Sequence, residues 1–378
     1  MTPRKTAVQI TDFQEEEFMK LNKIIALVLT LVLTMGLLAG CGTTVVVLQE
    51  APKTEAAPAP APEAAPAPET SEGDAVPVKT GLSFLTSTTS SKAASAEGDG
   101  VAQSEIALVA VTVDDNGVID SCVIDAVQAK IGFNTKGELT GDLTAPILSK
   151  NELGTDYGMG KYSPIGKEWN EQAAALAEYV VGLTLDEVKG ITITAEGKPE
   201  DVDLASSVTI YMGGLLAGIE DAVNKAVHLG ARKGDKLVLN TVTSASGSKA
   251  ATAEEAGLAQ AYCTVNVLTL NGDVITSCYL DAVQANVNFD ATGAITGELS
   301  ADVASKNVLG DNYGMGKYSS IGADWYQQAA NFSAYVTGKT VAEATGIAVS
   351  EGKAADADLL SSVTMSIGDF IELIAKAG

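Results

Sequence analysis

Residues 107–129 read ALVAVTVDDNGVIDSCVIDAVQA. Two apolar runs flank Asn116-Gly117, a strong β-hairpin signal, because Asn and Gly accept the backbone angles of a tight turn. The pattern returns at 266–285 as NVLTLNGDVITSCYLDAVQA, with its turn expected at Asn271-Gly272. The strand-like runs GLSFLTST and KLVLNTVT precede the hairpins, and the turn sequences FNTKGEL and FDATGAI follow them. The reading is an antiparallel meander, made twice.

Downstream the repeat is plainer still. SKNELGTDYGMGKYSPIGKEWNEQAAALAEYVVGLT at 149–184 comes back as SKNVLGDNYGMGKYSSIGADWYQQAANFSAYVTGKT at 305–340. Tyr157 matches Tyr313, Trp169 matches Trp325 and Thr209 matches Thr364. The period is too long for a solenoid, so the expectation is two tandem domains, 76–230 and 231–378. Trp169, Ala173, Leu176 and Val180 fall on one face at helical spacing, which makes both tryptophans core residues. Gly182 and Gly338 suit the position just past a helix end. Thr184-x-x-Glu187 and Thr340-x-x-Glu343 are capping boxes for a short second helix, ended by Gly190 and Gly346. Strands first and helices after predict an α+β fold, with helices packed on an antiparallel sheet in each copy.

A different signal occupies the N-terminus. From Met19 the chain reads MKLNKIIALVLTLVLTMGLLAGC, a basic start followed by an apolar core too short to span a bilayer comfortably. Leu38-Ala39-Gly40-Cys41 resembles a bacterial lipobox. That resemblance implies an acylated Cys41 as the first mature residue, anchored at the extracytoplasmic face of the membrane. Residues 1–40 are therefore read as an N-terminal extension plus a lipoprotein signal peptide. Residues 1–18 fit no part of that signal, and the true start is expected at Met19. Residues 41–75, rich in Ala, Pro and Glu, read as a disordered, extended tether.

Composition narrows the function. The 378 residues carry a net charge of −24, which argues against nucleic acid and anionic lipid as partners, since both need clustered Lys and Arg. One His and four Cys leave no haem-attachment motif and no zinc spacing. The single His228, near the boundary of the repeats, lacks a counterpart, which argues against an imidazole relay. Counting back from Asn271-Gly272 sets Cys278 opposite Val265 and Cys263 only diagonal to it, too far for a disulfide. Cys122 and Cys278 are equivalent and read as small buried residues.

One motif remains. Asp203-x-x-Ser206-Ser207-Val208-Thr209 and Asp358-x-x-Ser361-Ser362-Val363-Thr364 each lead into an apolar stretch expected to be a helix. Hydroxyls in the first turn of a helix suit a phosphate, since backbone N–H groups point there too. The same residues also suit an ordinary N-cap, with Asp and Thr satisfying local backbone. The motif resembles the Asp-x-x-Ser-Gly-Ala-Thr of the FMN-binding domain family attached to bacterial membrane proteins. Ser and Val here replace the family's Gly and Ala. That resemblance implies FMN joined through its phosphate to Thr209 and Thr364 by a flavin transferase. The YGMGKYS loops place Tyr157, Met159 and Lys161, with Tyr313, Met315 and Lys317, either beside a flavin ring, with the lysines offsetting its charge, or in a packed loop anchored by its aromatics. Asp125 and Asp281, with Gln128 and Gln284, lie on a strand, either at the surface or at the ring edge. Two readings follow. One is a lipid-anchored extracellular electron carrier with a membrane redox partner, resembling the flavinylated lipoproteins of Gram-positive bacteria. The other is a non-catalytic surface lipoprotein that binds a small ligand or an envelope partner without covalent flavin.

Overall fold

A computed structural model describes residues 76–378. The lipobox, the tether and the expected start at Met19 lie outside the described residues. Strands β1 (Lys79–Ser87), β2 (Gly100–Val113) and β3 (Ile119–Phe133) pair antiparallel in that order, with the short β4 (Leu139–Thr140) beside the end of β3. Strands β5 (Lys236–Ser244), β6 (Gly257–Asn271) and β7 (Val274–Phe289) repeat the arrangement as a second, separate sheet. Helices pack on both sheets, and the fold is α+β.

The first hairpin turns through Asp115-Asn116-Gly117, closed between Asp114 and Val118, and Gly117 takes a φ of 80° that a side chain would resist. In the second hairpin Asn271 is still in the strand, paired with Val274, and the loop is Gly272-Asp273. A bulge between Thr269 and Leu270 shifts the register further. Cys278 therefore faces Leu268 rather than Val265, and Cys263 faces Val283. The two thiols lie on opposite faces of the sheet, and Cys122, Cys263 and Cys278 are all free.

The first repeat places α1 (Lys150–Leu153), α2 (Trp169–Val180), α3 (Leu185–Lys189), α4 (Val202–Ala205) and α5 (Gly213–Lys225) after its strands. Their counterparts are α6 (Lys306–Leu309), α7 (Trp325–Val336), α8 (Val341–Thr345), α9 (Ala357–Leu360) and α10 (Gly368–Ala375). Trp169, Ala173, Leu176 and Val180 are buried on one face of α2 against Val109, Val111 and Ile124 of the sheet. Both capping boxes form, at Thr184–Glu187 and Thr340–Glu343, and Gly190 and Gly346 end those helices. Among the described residues no helix is long and apolar enough to cross a membrane.

The other face of each sheet is covered by the other repeat. Ile106, Leu108 and Val127 pack with Leu239, Val265 and Val283 in one shared core, and Phe133 stacks on Phe289 in a second. The contacts come in reciprocal pairs. Ile147 donates its N–H to Thr243 O at 3.2 Å, while Val303 donates to Thr86 O at 2.8 Å. Ala94 donates to Gly293 O at 2.9 Å, while Ala251 donates to Gly137 O at 2.8 Å. That reciprocity is the signature of a two-fold, self-complementary interface, built here within a single chain.

Candidate functional site

The Ser-Ser-Val-Thr stretch does not open a helix. It closes the one-turn helix α4, whose N-cap is Asp201, with Leu204 N donating to its carboxylate at 2.8 Å. The long helix starts only at Gly213, and in the second repeat at Gly368. The turn is already largely satisfied, partly from within and partly from the preceding long helix α2. The N–H groups of Ser206, Ser207 and Val208 donate to Val202 O, Leu204 O and Leu204 O. Ser206 Oγ donates to Asp203 O at 2.7 Å, and Ser361 Oγ to Asp358 O at 2.7 Å. Thr209 donates both N–H and hydroxyl to Gln172 Oε1, at 2.7 and 3.1 Å. Ser362 Oγ donates to Leu359 O, and Thr364 donates both its groups to Gln328. Val208 and Val363 are fully buried core residues, and Asp203 and Asp358 are exposed. With every hydroxyl of the first motif but that of Ser207 donating and the Thr209 N–H held by Gln172, the turn as folded does not fit a phosphate group.

The YGMGKYS loops divide by face. Tyr157 and Met159 pack on the first core, and Tyr313 and Met315 on the second, while Lys161 and Lys317 project into solvent. Gly158 sits at φ 77°, and a Cβ on Gly160 would lie 2.8 Å from Glu168 Oε1. Glu168 needs that approach, since its carboxylate accepts from Met159 N at 2.8 Å. Gln172 joins the two repeated motifs: fully buried, it donates to Ser163 Oγ at 3.1 Å and accepts from Thr209. Gln328 does the same between Ser319 and Thr364.

Asp125 and Asp281 are buried rather than at a surface. Each accepts from its neighbour's N–H (Ala126 or Ala282, 2.7 Å) and from Asn151 N or Asn307 N at 3.0 Å. Burial pushes both carboxyls up to about 6. His228 pairs with Asp115 at 3.0 Å on the surface, where Lys79 also reaches Asp115 at 2.9 Å. Among the described residues no cluster of His, Cys, Asp or Glu is fit to hold a metal ion.

The repeats differ at one place that the sequence reading passed over. In the second, Lys306 is only 4% exposed and lies over three rings: Tyr262 at 4.4 Å, Tyr313 at 4.5 Å and Trp325 at 4.9 Å. Its ammonium donates to Tyr262 Oη at 2.9 Å, and burial pulls its pKa down to about 8. Phe370 completes the packing, edge-on to Trp325 with centroids 5.9 Å apart. The first repeat keeps the lysine and two rings, with Lys150 over Tyr157 at 4.9 Å and Trp169 at 4.8 Å. The residue matching Tyr262 is Glu105, which turns along the strand to accept from Gln103 at 2.6 Å and Gln128 at 2.5 Å. Leu215 stands for Phe370 and Gly214 for Asp369. The outcome is a cavity of about 480 Å³ with Lys150, Trp169, Tyr211 and Gly214 in its wall, and Ala301 of the second repeat at its rim. A volume of that order suits a small ligand. Lys150 and Lys306 stand in the repeated Ser-Lys-Asn, so a shared cation before a shared aromatic was the available signal.

No family model, no curated protein and no solved structure matches this chain.

Proposed function

We propose that this protein is a non-catalytic binding module, held at the outer face of the membrane by a lipid on Cys41, that takes one small ligand into the cavity of its first repeat. One observation carries the reading. The same framework is built twice, and only in the first copy is the lysine–aromatic centre left open, where the second fills it with Tyr262 and Phe370. A concave site of this volume with a cation and two ring faces in its wall is of the kind that takes a small ligand. A ligand screen by thermal shift on the full chain in detergent, repeated on Glu105→Tyr/Leu215→Phe, tests it. Ligands that stabilise the parent and not the filled variant support the reading, and an identical response from both proteins removes it.

A second reading, covalent FMN and electron transfer, is favoured by the recurrence of Asp-x-x-Ser-x-x-Thr with half-buried threonines in both repeats. It requires Gln172 and Gln328 to release Thr209 and Thr364 to a flavin transferase. Intact mass after co-expression with such a transferase separates the two. The binding module leaves the mass unchanged, whereas FMN-sized additions lost on Thr209→Ala and Thr364→Ala would replace it with the carrier.

A further inference from the structure

Resting on the reading of the first-repeat cavity as a ligand site, we infer the chemistry of the ligand: a planar aromatic ring carrying a carboxylate. The second repeat supplies the template. There Lys306 is closed over by a phenol ring from Tyr262, with its hydroxyl oxygen on the ammonium. Asp369 adds a carboxylate at the start of α10, tied to Thr264 Oγ1 at 3.5 Å and close enough for its charge to act on Lys306. The first repeat retains the receiving groups and lacks both donors of that chemistry. Position 105 lines the cavity with a carboxylate that accepts from Gln103 and Gln128 rather than with a phenol ring, position 214 has no side chain, and Ala107 stands where Thr264 would hold an acid.

Charge and shape agree with this choice. Among the described residues no carboxylate makes an ion pair with Lys150, although two ring faces lie against it. Lys150 is half-buried, and an ammonium flanked by ring faces gains more from an anion than a fully exposed lysine does. The opening turn of α5, a helix of 13 residues, presents Gly214 to the same space. Unpaired N–H groups at a helix start favour an anion over a cation there. Leu85, Ile106, Ala107, Ala126 and Leu215 make most of the remaining wall apolar, which suits a ring rather than a sugar; Ser87 and Glu105 also line it, the Glu105 carboxylate held by Gln103 and Gln128. The ring takes the place of Tyr262 and the carboxylate takes the place of Asp369.

The test is calorimetric titration of the full chain in detergent with 4-hydroxybenzoate. Two analogues accompany it: 4-hydroxybenzyl alcohol, which keeps the ring and drops the charge, and cyclohexanecarboxylate, which keeps the charge and drops the ring. The expected result is one 4-hydroxybenzoate per chain and at least ten-fold weaker binding of each analogue. Lys150→Met loses ten-fold or more, and Glu105→Tyr/Leu215→Phe abolishes binding. Equal affinity for acid and alcohol, or no effect of Lys150→Met, overturns the inference, and neither measurement depends on the filled variant folding. If 4-hydroxybenzoate does not bind while another ligand from the screen is excluded by the filled variant, the aryl acid is wrong and the cavity reading stands. If no ligand distinguishes the parent from the filled variant, both fall.

Discussion

The side-chain carbonyl of Gln172 accepts from Thr209 twice, from the N–H at 2.7 Å and from the hydroxyl at 3.1 Å. The Gln172 amide nitrogen holds Ser163 and the Lys167 carbonyl, so one buried side chain splints two loops to α2. Gln172→Leu leaves the Thr209 N–H without a partner. The expected loss is about 1–3 kcal/mol in chemical denaturation. Thr209→Val, which removes only the hydroxyl bond and leaves the N–H paired with Gln172, should lose less; equal losses for the two variants would mean that the splint carries no weight.

Tyr262 plugs the second repeat, and its removal should create there what the first repeat already has. Tyr262 is part-buried, so Tyr262→Ala is expected to cost up to about 3 kcal/mol, the lower end of the range for a large buried aromatic. Addition of p-cresol should return more stability to this variant than it adds to the parent, read as the shift in Tm. A variant indifferent to p-cresol would mean that the site collapses when emptied.

Asp125 and Asp281 give a pH dependence of definite sign. Both are raised by burial from 3.8 to about 6, so between those values the folded chain holds more protons than the unfolded one. Stability therefore falls as pH rises through that window, and the full benefit is present only on its acid side. Relief of the −24 net charge on acidification acts in the same direction. The expected outcome is a higher Tm at pH 5 than at pH 7.5, with the difference reduced in Asp125→Asn/Asp281→Asn. A difference unchanged in that double variant would assign the effect to surface charge alone.

Phe133 and Phe289 stack with centroids 4.4 Å apart across the contact between the sheets. Because the cores are shared, the repeats should unfold together in one calorimetric transition, and Phe133→Ala should lower its midpoint as a unit. Two resolved transitions would show that the interface contributes little.

Much of this was local enough to read from the chain. Strand runs, capping boxes and the α2 stripe depend on residues within a few positions of one another, and each formed as expected. The second hairpin slipped because its loop falls at Gly272-Asp273 rather than Asn271-Gly272, and a bulge at Thr269/Leu270, which leaves no mark in an apolar run, moves the register further. The start of the long helix slipped because Gly213 and Gly368 look like helix breakers, whereas helix formation begins there, past a turn that Gln172 and Gln328 satisfy from a distance. The face-to-face sheets had a signal that went unused. Residues 106–111, IALVAV, are apolar at every position, and an antiparallel strand apolar on both faces must be covered on both. The cavity was out of reach of any local pattern, since Glu105, Lys150 and Gly214 come together only after the sheet and helices have formed.

The reciprocal bonds Ile147–Thr243 and Val303–Thr86 are those of a homodimer whose subunits have been joined end to end. In a true homodimer every substitution is made twice, so a side chain that closes one pocket closes its twin. Covalent linkage removes that obligation. One half is free to be sealed with tyrosine and phenylalanine and to serve as a rigid buttress, while the other stays hollow. The symmetry of the backbone thus supports an asymmetry of side chains, and one open lysine–aromatic cleft results from a scaffold with room for two.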